Sequence, residues 1–404
     1  MFFCSFVVDI RHLIRSIIFI LQKTTINHAI MRITLSCAVL SSRLLTLSKV
    51  LNSKNSLQIL DCILFEVNDG MLTLTASDKE NEFTTGVELD EADSDGMFAI
   101  NSRTIIDAVK DLPEQPITLE VDLSSYVATL SFQNGSYTFT AQNGSEFPKA
   151  QPIDDKATTI TIQSATLSDN ITRTLFATST QEITPVMNGI YFDLTPESLA
   201  IVASDGYKLV RNKILDIQSE TPVSFILPKK PATLLKNVLG HDDSDVVIRF
   251  NDQNAEMTFA SGNLKCRLIE GKYPNYASVI PTDNPCQMHI DRKSLLGSVK
   301  RILPFASESS QSVRLRLGTG QVETSSEDID FATSAKETIV CDYNGTPMSI
   351  GFKGPSLIEM LSNLTSDEVV LQLADPSRPC IIVPAEQPEG QDILMLIMPM
   401  LLND

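Results

Sequence analysis

"EGQDILMLIMP" (389–399) lies almost at the end of a 404-residue chain and reads as a buried strand. Termini are ordinarily polar and frayed, yet Ile393 to Met400 is eight nearly unbroken apolar residues. The same grammar occurs twice upstream, in "NGSYTFTAQNGSEFP" (134–148) and "SGNLKCRLIEGKYP" (261–274): a glycine turn, a strand-like run, then proline. Pro148, Pro274 and Pro399 are spaced by 126 and 125 residues, and Gly135, Gly262 and Gly390 keep nearly the same step. The apolar ending is expected to be the last strand of a third copy of one repeating unit.

Two helical patterns keep that interval. "LSSRLLTLSKVL" from Leu40, "LSDNITRTLFAT" from Leu167 and "SLLGSVKRILPF" from Ser294 carry apolar residues at helical spacing, such as Leu40, Leu44, Leu47 and Leu51. "SRTIIDAVKDL", "KKPATLLKNVL" and "GPSLIEMLSNL", ending at Leu112, Leu239 and Leu364, form the second set, each followed by a polar turn and a strand-like run. Between helices the chain alternates in short strands with Asn-Gly, Asp-Gly or Ser-Gly turns. The class is α+β: three repeated domains, 31–150, 151–285 and 286–404, each with two helices and strands for two small antiparallel sheets. Sheet edges invite pairing, and head-to-tail association of such domains closes a ring when the rotation fits.

Residues 1–30 stand apart. Their longest clean apolar run, Ile17 to Leu21, is far short of the about 20 residues needed to span a bilayer, and no signal-peptide cleavage pattern follows. They are expected to be an extension outside the fold, with Met31 as the natural start. The seven cysteines form no Cys-x-x-Cys pair and the four histidines no i, i+4 pair, which points to free thiols in a reducing cytoplasm and to no metal centre.

Charge is unevenly placed. The helical windows 39–54, 102–112, 166–177, 229–239, 291–303 and 353–364 hold 14 basic and five acidic residues, a surplus of nine in a chain of net charge −18. Basic helices inside an acidic shell suit a polyanion held on one surface and repelled elsewhere. At about 100° per residue, Lys49, Arg173 and Arg301 are expected to point away from the apolar stripes of their helices.

With "VMNGIYFD" (186–193), "VASDGYKLV" (202–210), "GKYPNYASVIP" (271–281) and the terminal "MPM" (398–400), the chain from "MRITLS" at Met31 onward resembles the bacterial DNA sliding-clamp family, the beta subunits of DNA polymerase III. The resemblance implies a non-catalytic processivity factor without cofactor. It implies a head-to-tail homodimer forming a ring around duplex DNA, read without regard to sequence. The implied partners are the replicative polymerase, the clamp loader, and other polymerases and repair proteins that insert a short apolar peptide into a pocket.

By matching position, the resemblance marks Lys54, Arg103, Gln181, Lys229 and Lys230 as DNA-facing, joined by Lys49, Arg173 and Arg301 from the helical wheel. Its pocket positions are Met187, Ser204, Gly206, Tyr207, Lys208 and Leu209; then Pro274, Ser278 and Val279; then Ile397, Met398, Pro399, Met400 and Leu401. A methionine-rich wall repacks around different ligands. Tyr207 stands where the family often has histidine, Ser278 where it has a basic residue and Leu401 where it has arginine, so this pocket is expected to be more apolar and less positive. Tyr137, Pro304 and Phe305 match the ring interface.

Two rival readings are weaker. The "ASD" echoes offer Asp78 and Asp205 as paired carboxylates, but each also reads as the cap of a hairpin turn, and no nucleophile, phosphate loop or metal spacing accompanies them. A surface protein anchored through residues 1–30 is the second. Deleting residues 1–30 separates the two classes: folding by circular dichroism and solubility are expected to be unchanged, whereas an anchored protein would change its location.

Overall fold

A computed structural model describes residues 30–52, 55, 57–154, 156–240 and 243–402. The expected extension 1–30 therefore lies almost wholly outside the described residues, as does Lys54. The chain forms two compact units. One holds residues to Pro152 together with Glu256–Cys266; the other holds Ile153–Ala255 and the chain from Arg267 onward.

Six α-helices occur among the described residues: α1 Cys37–Leu47, α2 Ser102–Val109, α3 Ser164–Leu175, α4 Lys229–Val238, α5 Arg292–Ile302 and α6 Gly354–Ser362. Each follows a strand without a break, for example Ile30–Ser36 into α1 and Cys286–Asp291 into α5. Polar side chains make three of these junctions. Ser36, Asn101 and Asp291 accept hydrogen bonds from the backbone N–H groups of Val39, Thr104 and Ser294, which otherwise lack an intrahelical acceptor.

The first unit carries a sheet ordered Glu91–Ala92, Ile30–Ser36, Pro116–Asp122, Val127–Phe132, Gly135–Thr140. Its alternating strands bury Met31, Ile33 and Leu35 against Leu119 and Leu130 on one face, while Gly135–Thr140 is an exposed edge. A second sheet runs Gln142–Asn143, Gly96–Asn101, Cys62–Asn68, Met71–Ser77, Asn81–Glu88. Segment 256–266 completes this unit by pairing Asn263 with Thr84 and Cys266 with Asn81.

The second unit is built on a nine-stranded antiparallel sheet: Val223–Pro228, Gly189–Leu194, Leu199–Ser204, Lys208–Ile214, Gln391–Ile397, Cys380–Pro384, Glu368–Leu373, Cys286–Asp291, Asp342–Tyr343. The C-terminal strand Gln391–Ile397 is its middle member, with Lys208 opposite Ile397 on one side and Cys380 opposite Ile397 on the other. A four-stranded sheet, Thr333–Val340, Gln321–Asp328, Ser312–Gly318, Met348–Lys353, packs Val313, Leu315, Ile350 and Phe352 with α5 and α6 into the same core as Ile393, Met395 and Ile397. The opposite face of the terminal strand, Leu394 and Leu396, joins a smaller cluster with Leu209, Ile226 and Tyr273. Both faces of the strand are therefore apolar because both are covered.

The helix reading needs one correction. Lys49 is not on α1, which ends at Leu47; it is exposed in the turn that follows, where the backbone bonds shorten to i, i−3.

Met395 is fully buried in the terminal strand. Met395→Ala is expected to destabilise the second unit by about 2–5 kcal/mol, read from the denaturant midpoint of the full chain, whereas a frayed terminus would show no change.

Candidate functional site

Beyond Ile397 the chain leaves the sheet beside the turn that joins Leu199–Ser204 to Lys208–Ile214. The Asp205 carboxylate organises that turn by accepting the N–H groups of Tyr207 and Lys208, each at 2.9 Å. The Ser204 hydroxyl accepts from the Gly206 N–H at 3.1 Å and donates to the Lys208 carbonyl at 2.9 Å. Gly206 takes φ +90°, a left-handed conformation that suits glycine. The result is a rigid turn holding the Tyr207 ring out, 71% exposed. The Tyr207 carbonyl then accepts the Met398 N–H at 2.8 Å, which seats the tail against the turn.

Asp78 does the same in its own hairpin, accepting the N–H groups of Glu80 and Asn81 at 3.0 and 2.7 Å. Both "ASD" carboxylates thus cap turns. Among the described residues no group of three or more His, Cys, Asp or Glu side chains is placed to hold a metal, and no helix is long and apolar enough to cross a membrane.

Lys208 points the other way from Tyr207. Its Nζ lies 2.7 Å from the Glu359 carboxylate on α6, 3.5 Å from Asp205 and 5.7 Å from the centre of the Phe176 ring, and its side chain is 11% exposed. A lysine so enclosed braces the turn against α6. No spacing in the sequence marks Glu359 or Phe176, because both meet Lys208 only through the fold.

Further residues of the expected pocket sit on or beside the short turn Tyr276–Val279. The Tyr276 hydroxyl donates to Asp193 at 2.8 Å, and Tyr273 stacks on Tyr191 with ring centres 4.6 Å apart. Burial raises the pKa of both tyrosines, for Tyr276 reinforced by Asp193. These anchors leave Pro274, Ser278 and Val279 exposed. Met187 is half-buried in the turn Pro185–Met187, its carbonyl accepting from Ser179. Of the apolar residues expected at the pocket, Tyr207, Val279, Met398 and Leu401 are accessible, at 71, 53, 37 and 91%. Leu209 and Ile397 are corrected to core positions, each 2% exposed, because their strands are covered on those faces.

The expected DNA-facing positions fall into three groups. Lys49, Arg103, Gln181 and Lys229 are exposed, Arg103 with only a loose 3.9 Å contact to Asp107, and Lys230 is half-buried beside Lys229 at the start of α4. Arg301 is exposed at the end of α5 but forms a two-pronged pair with Glu337 at 2.8 and 2.6 Å. Arg173 is a correction: it is 6% exposed, its guanidinium 3.4 Å from the Gln391 side-chain oxygen, and desolvation lowers its pKa. The helical wheel failed because α3 also buries a polar flank, including Ser164, Ser168, Asn170 and Thr174, which hydropathy does not mark as inward.

Of the expected interface residues, Tyr137 is 42% exposed on the edge strand Gly135–Thr140 and packs on Phe132, ring centres 4.9 Å apart. Pro304 and Phe305 are exposed in the short turn after α5. In the second unit, Thr333–Val340 is the edge of the four-stranded sheet, ending in Val340, 83% exposed.

The chain's relatives share this architecture over nearly its whole length. The beta sliding clamp of Pseudomonas putida is 24% identical over 371 residues, covering 92% of this chain and 100% of that protein. That of Synechococcus elongatus is 26% identical over 372 residues, covering 90% and 97%. Among solved structures, a Pseudomonas aeruginosa sliding clamp bound to griselimycin superposes with a TM-score of 0.86 at 24% identity, over 92% of this chain and 100% of that one. The Thermotoga maritima DNA polymerase III beta subunit superposes with a TM-score of 0.82 at 25% identity, with the same coverage. Three family models match in succession: the N-terminal domain of the DNA polymerase III beta subunit at 31–151, its central domain at 161–275 and its C-terminal domain at 277–401. With all three domains present in order, the chain belongs to the DNA polymerase III beta subunit family, the beta sliding clamps.

Proposed function

We propose that this protein, a non-catalytic processivity factor of DNA polymerase III, works in the cytoplasm as a head-to-tail homodimer that encircles duplex DNA. Its domains divide at 31–150, 151–285 and 286–404, and it tethers partners through the cleft between the Tyr207 turn, the Tyr276–Val279 turn and the C-terminal tail. The observation that carries the reading is the succession of three beta-subunit domains, in order, between residues 31 and 401. The two edge strands support it: Gly135–Thr140 with Tyr137 on one unit and Thr333–Val340 near Phe305 on the other offer complementary rows of backbone donors and acceptors to neighbouring copies.

Lys49, Arg103, Gln181, Lys229 and Lys230 form the proposed DNA-facing set. Arg301 contributes less because Glu337 already holds its guanidinium, and Arg173 is left out. Sparse contacts suit sliding, since each neutralised phosphate adds affinity that would slow movement; linkage through the closed ring supplies retention. The partners are the replicative polymerase, the clamp loader, and other polymerases and repair proteins carrying a short apolar peptide. Tyr207, Val279, Met398 and Leu401 would receive the apolar anchors. With Ser278 and Leu401 neutral and Lys208 turned toward Glu359, binding draws on burial of apolar surface.

Negative-stain microscopy of the purified chain is expected to show closed rings with a hole wide enough for duplex DNA; compact particles without a hole, well above micromolar concentration, would sink the reading. Lys49→Ala, Arg103→Ala and Lys229→Ala are each expected to lower the dependence of log affinity for DNA on log salt by about one or less, with ring formation unchanged. We propose that griselimycin, which the Pseudomonas aeruginosa clamp binds, occupies this cleft in the present chain; Val279→Asp is then expected to weaken its binding by about tenfold, as a charge enters an apolar wall, measured by calorimetry.

A further inference from the structure

The C-terminal tail is joined to the second unit at two points beyond the end of its last regular strand. Met398 donates its N–H to the Tyr207 carbonyl, extending the ladder by one step. Pro399 has no N–H to give, and the chain crosses at that residue to a different sheet. There the Met400 N–H donates to the Gly351 carbonyl at 2.8 Å, forming an isolated antiparallel bridge on the outer edge of Met348–Lys353. The inner edge of that strand is occupied, with Gly351 opposite Arg314.

Gly351 is buried and its φ is not left-handed, so backbone conformation does not demand a glycine. Space does. A Cβ on Gly351 would lie 2.6 Å from Leu402 Cδ2, 3.2 Å from Leu402 Cγ and 3.1 Å from the Met400 carbonyl oxygen. Leu402 therefore rests directly on the bare Cα of Gly351. Met400 and Leu402 are half-buried while Leu401 between them is 91% exposed, the alternation of an extended strand with one covered face.

We infer that Gly351 and Leu402 form a latch that positions the C-terminal lip of the partner cleft, with Leu402 as its anchor and Leu401 as the side chain it presents to the bound peptide. Gly351 touches no ligand in this scheme; it acts through the tail. The inference rests on the proposed cleft for its functional consequence, but the latch itself is a property of the free protein.

Two measurements on the full chain separate the two. The first is hydrogen exchange in the peptic fragment containing Met400, without ligand. The wild type is expected to protect the Met400 amide, and Gly351→Ala to lose that protection, with ring mass and melting temperature retained. Equal exchange in both proteins would overturn the latch whatever the cleft binds. The second is calorimetry with griselimycin. Gly351→Ala is expected to bind about tenfold more weakly because its methyl displaces the tail. In the double variant Gly351→Ala/Leu402→Ala the contacts with the leucine are gone and only the 3.1 Å approach to the Met400 carbonyl remains, so affinity is expected to return most of the way to that of Leu402→Ala alone. If adding Gly351→Ala costs as much in the Leu402→Ala background as in the wild type, the effect does not pass through Leu402 and the latch is wrong. If wild type fails to bind griselimycin while the Met400 amide is protected in it and exposed in Gly351→Ala, the latch stands and the proposed cleft falls.

Discussion

The second unit depends on a strand that arrives last. Gln391–Ile397 pairs on both edges and is covered on both faces, so its neighbours Lys208–Ile214 and Cys380–Pro384 complete their hydrogen bonding only when the chain end is in place. An unpaired backbone group in a buried sheet is costly, and two apolar clusters share the strand's side chains. The ending is apolar for that reason. Seating it also brings Met398 to Tyr207 and Met400 to Gly351, so the element that closes the core delivers the residues of the candidate cleft to its rim.

Polar groups in this fold divide by what they satisfy. Asp78 and Asp205 look alike in sequence and do the same work, accepting N–H groups at the tips of equivalent hairpins. Their carboxylates are occupied by backbone, which suits a protein that tethers rather than catalyses. Lys208 and Arg301 are also occupied, by Glu359 and Glu337. With Arg301 paired and Arg173 buried, a count of basic residues in helices overstates the charge available to a polyanion. Lys49, Arg103 and Lys229 remain better placed, because each is exposed and the contact of Arg103 to Asp107 is a loose 3.9 Å.

The strand-helix alternation, the three-fold repeat and the burial of Ile393 to Ile397 were legible in the sequence, because spacing and hydropathy are local properties that repeat with the unit. So were the turns at Gly206 and Gly390, both at positive φ, where residue type reports backbone conformation. Four of the residues that the resemblance marks for a pocket, Tyr207, Val279, Met398 and Leu401, are on the surface. What failed was direction. Arg173 fits an outward position by the periodicity of apolar residues, yet α3 buries that flank, with Thr174 accepting from Asn212 of the strand Lys208–Ile214 and the Arg173 guanidinium 3.4 Å from the Gln391 side-chain oxygen.

By itself the sequence determined the class of fold, the order of its elements, the apolar character of the chain end and the family to which the whole belongs. Each of these depends on residue type within one turn or one repeat. Only the tertiary structure decided which cations stay free, which expected wall residues are core, and what holds the tail. Lys208 meets Glu359, and Gly351 meets Leu402, across separations that no local pattern encodes. Whether a side chain is buried or presented depends on what the rest of the chain packs against it.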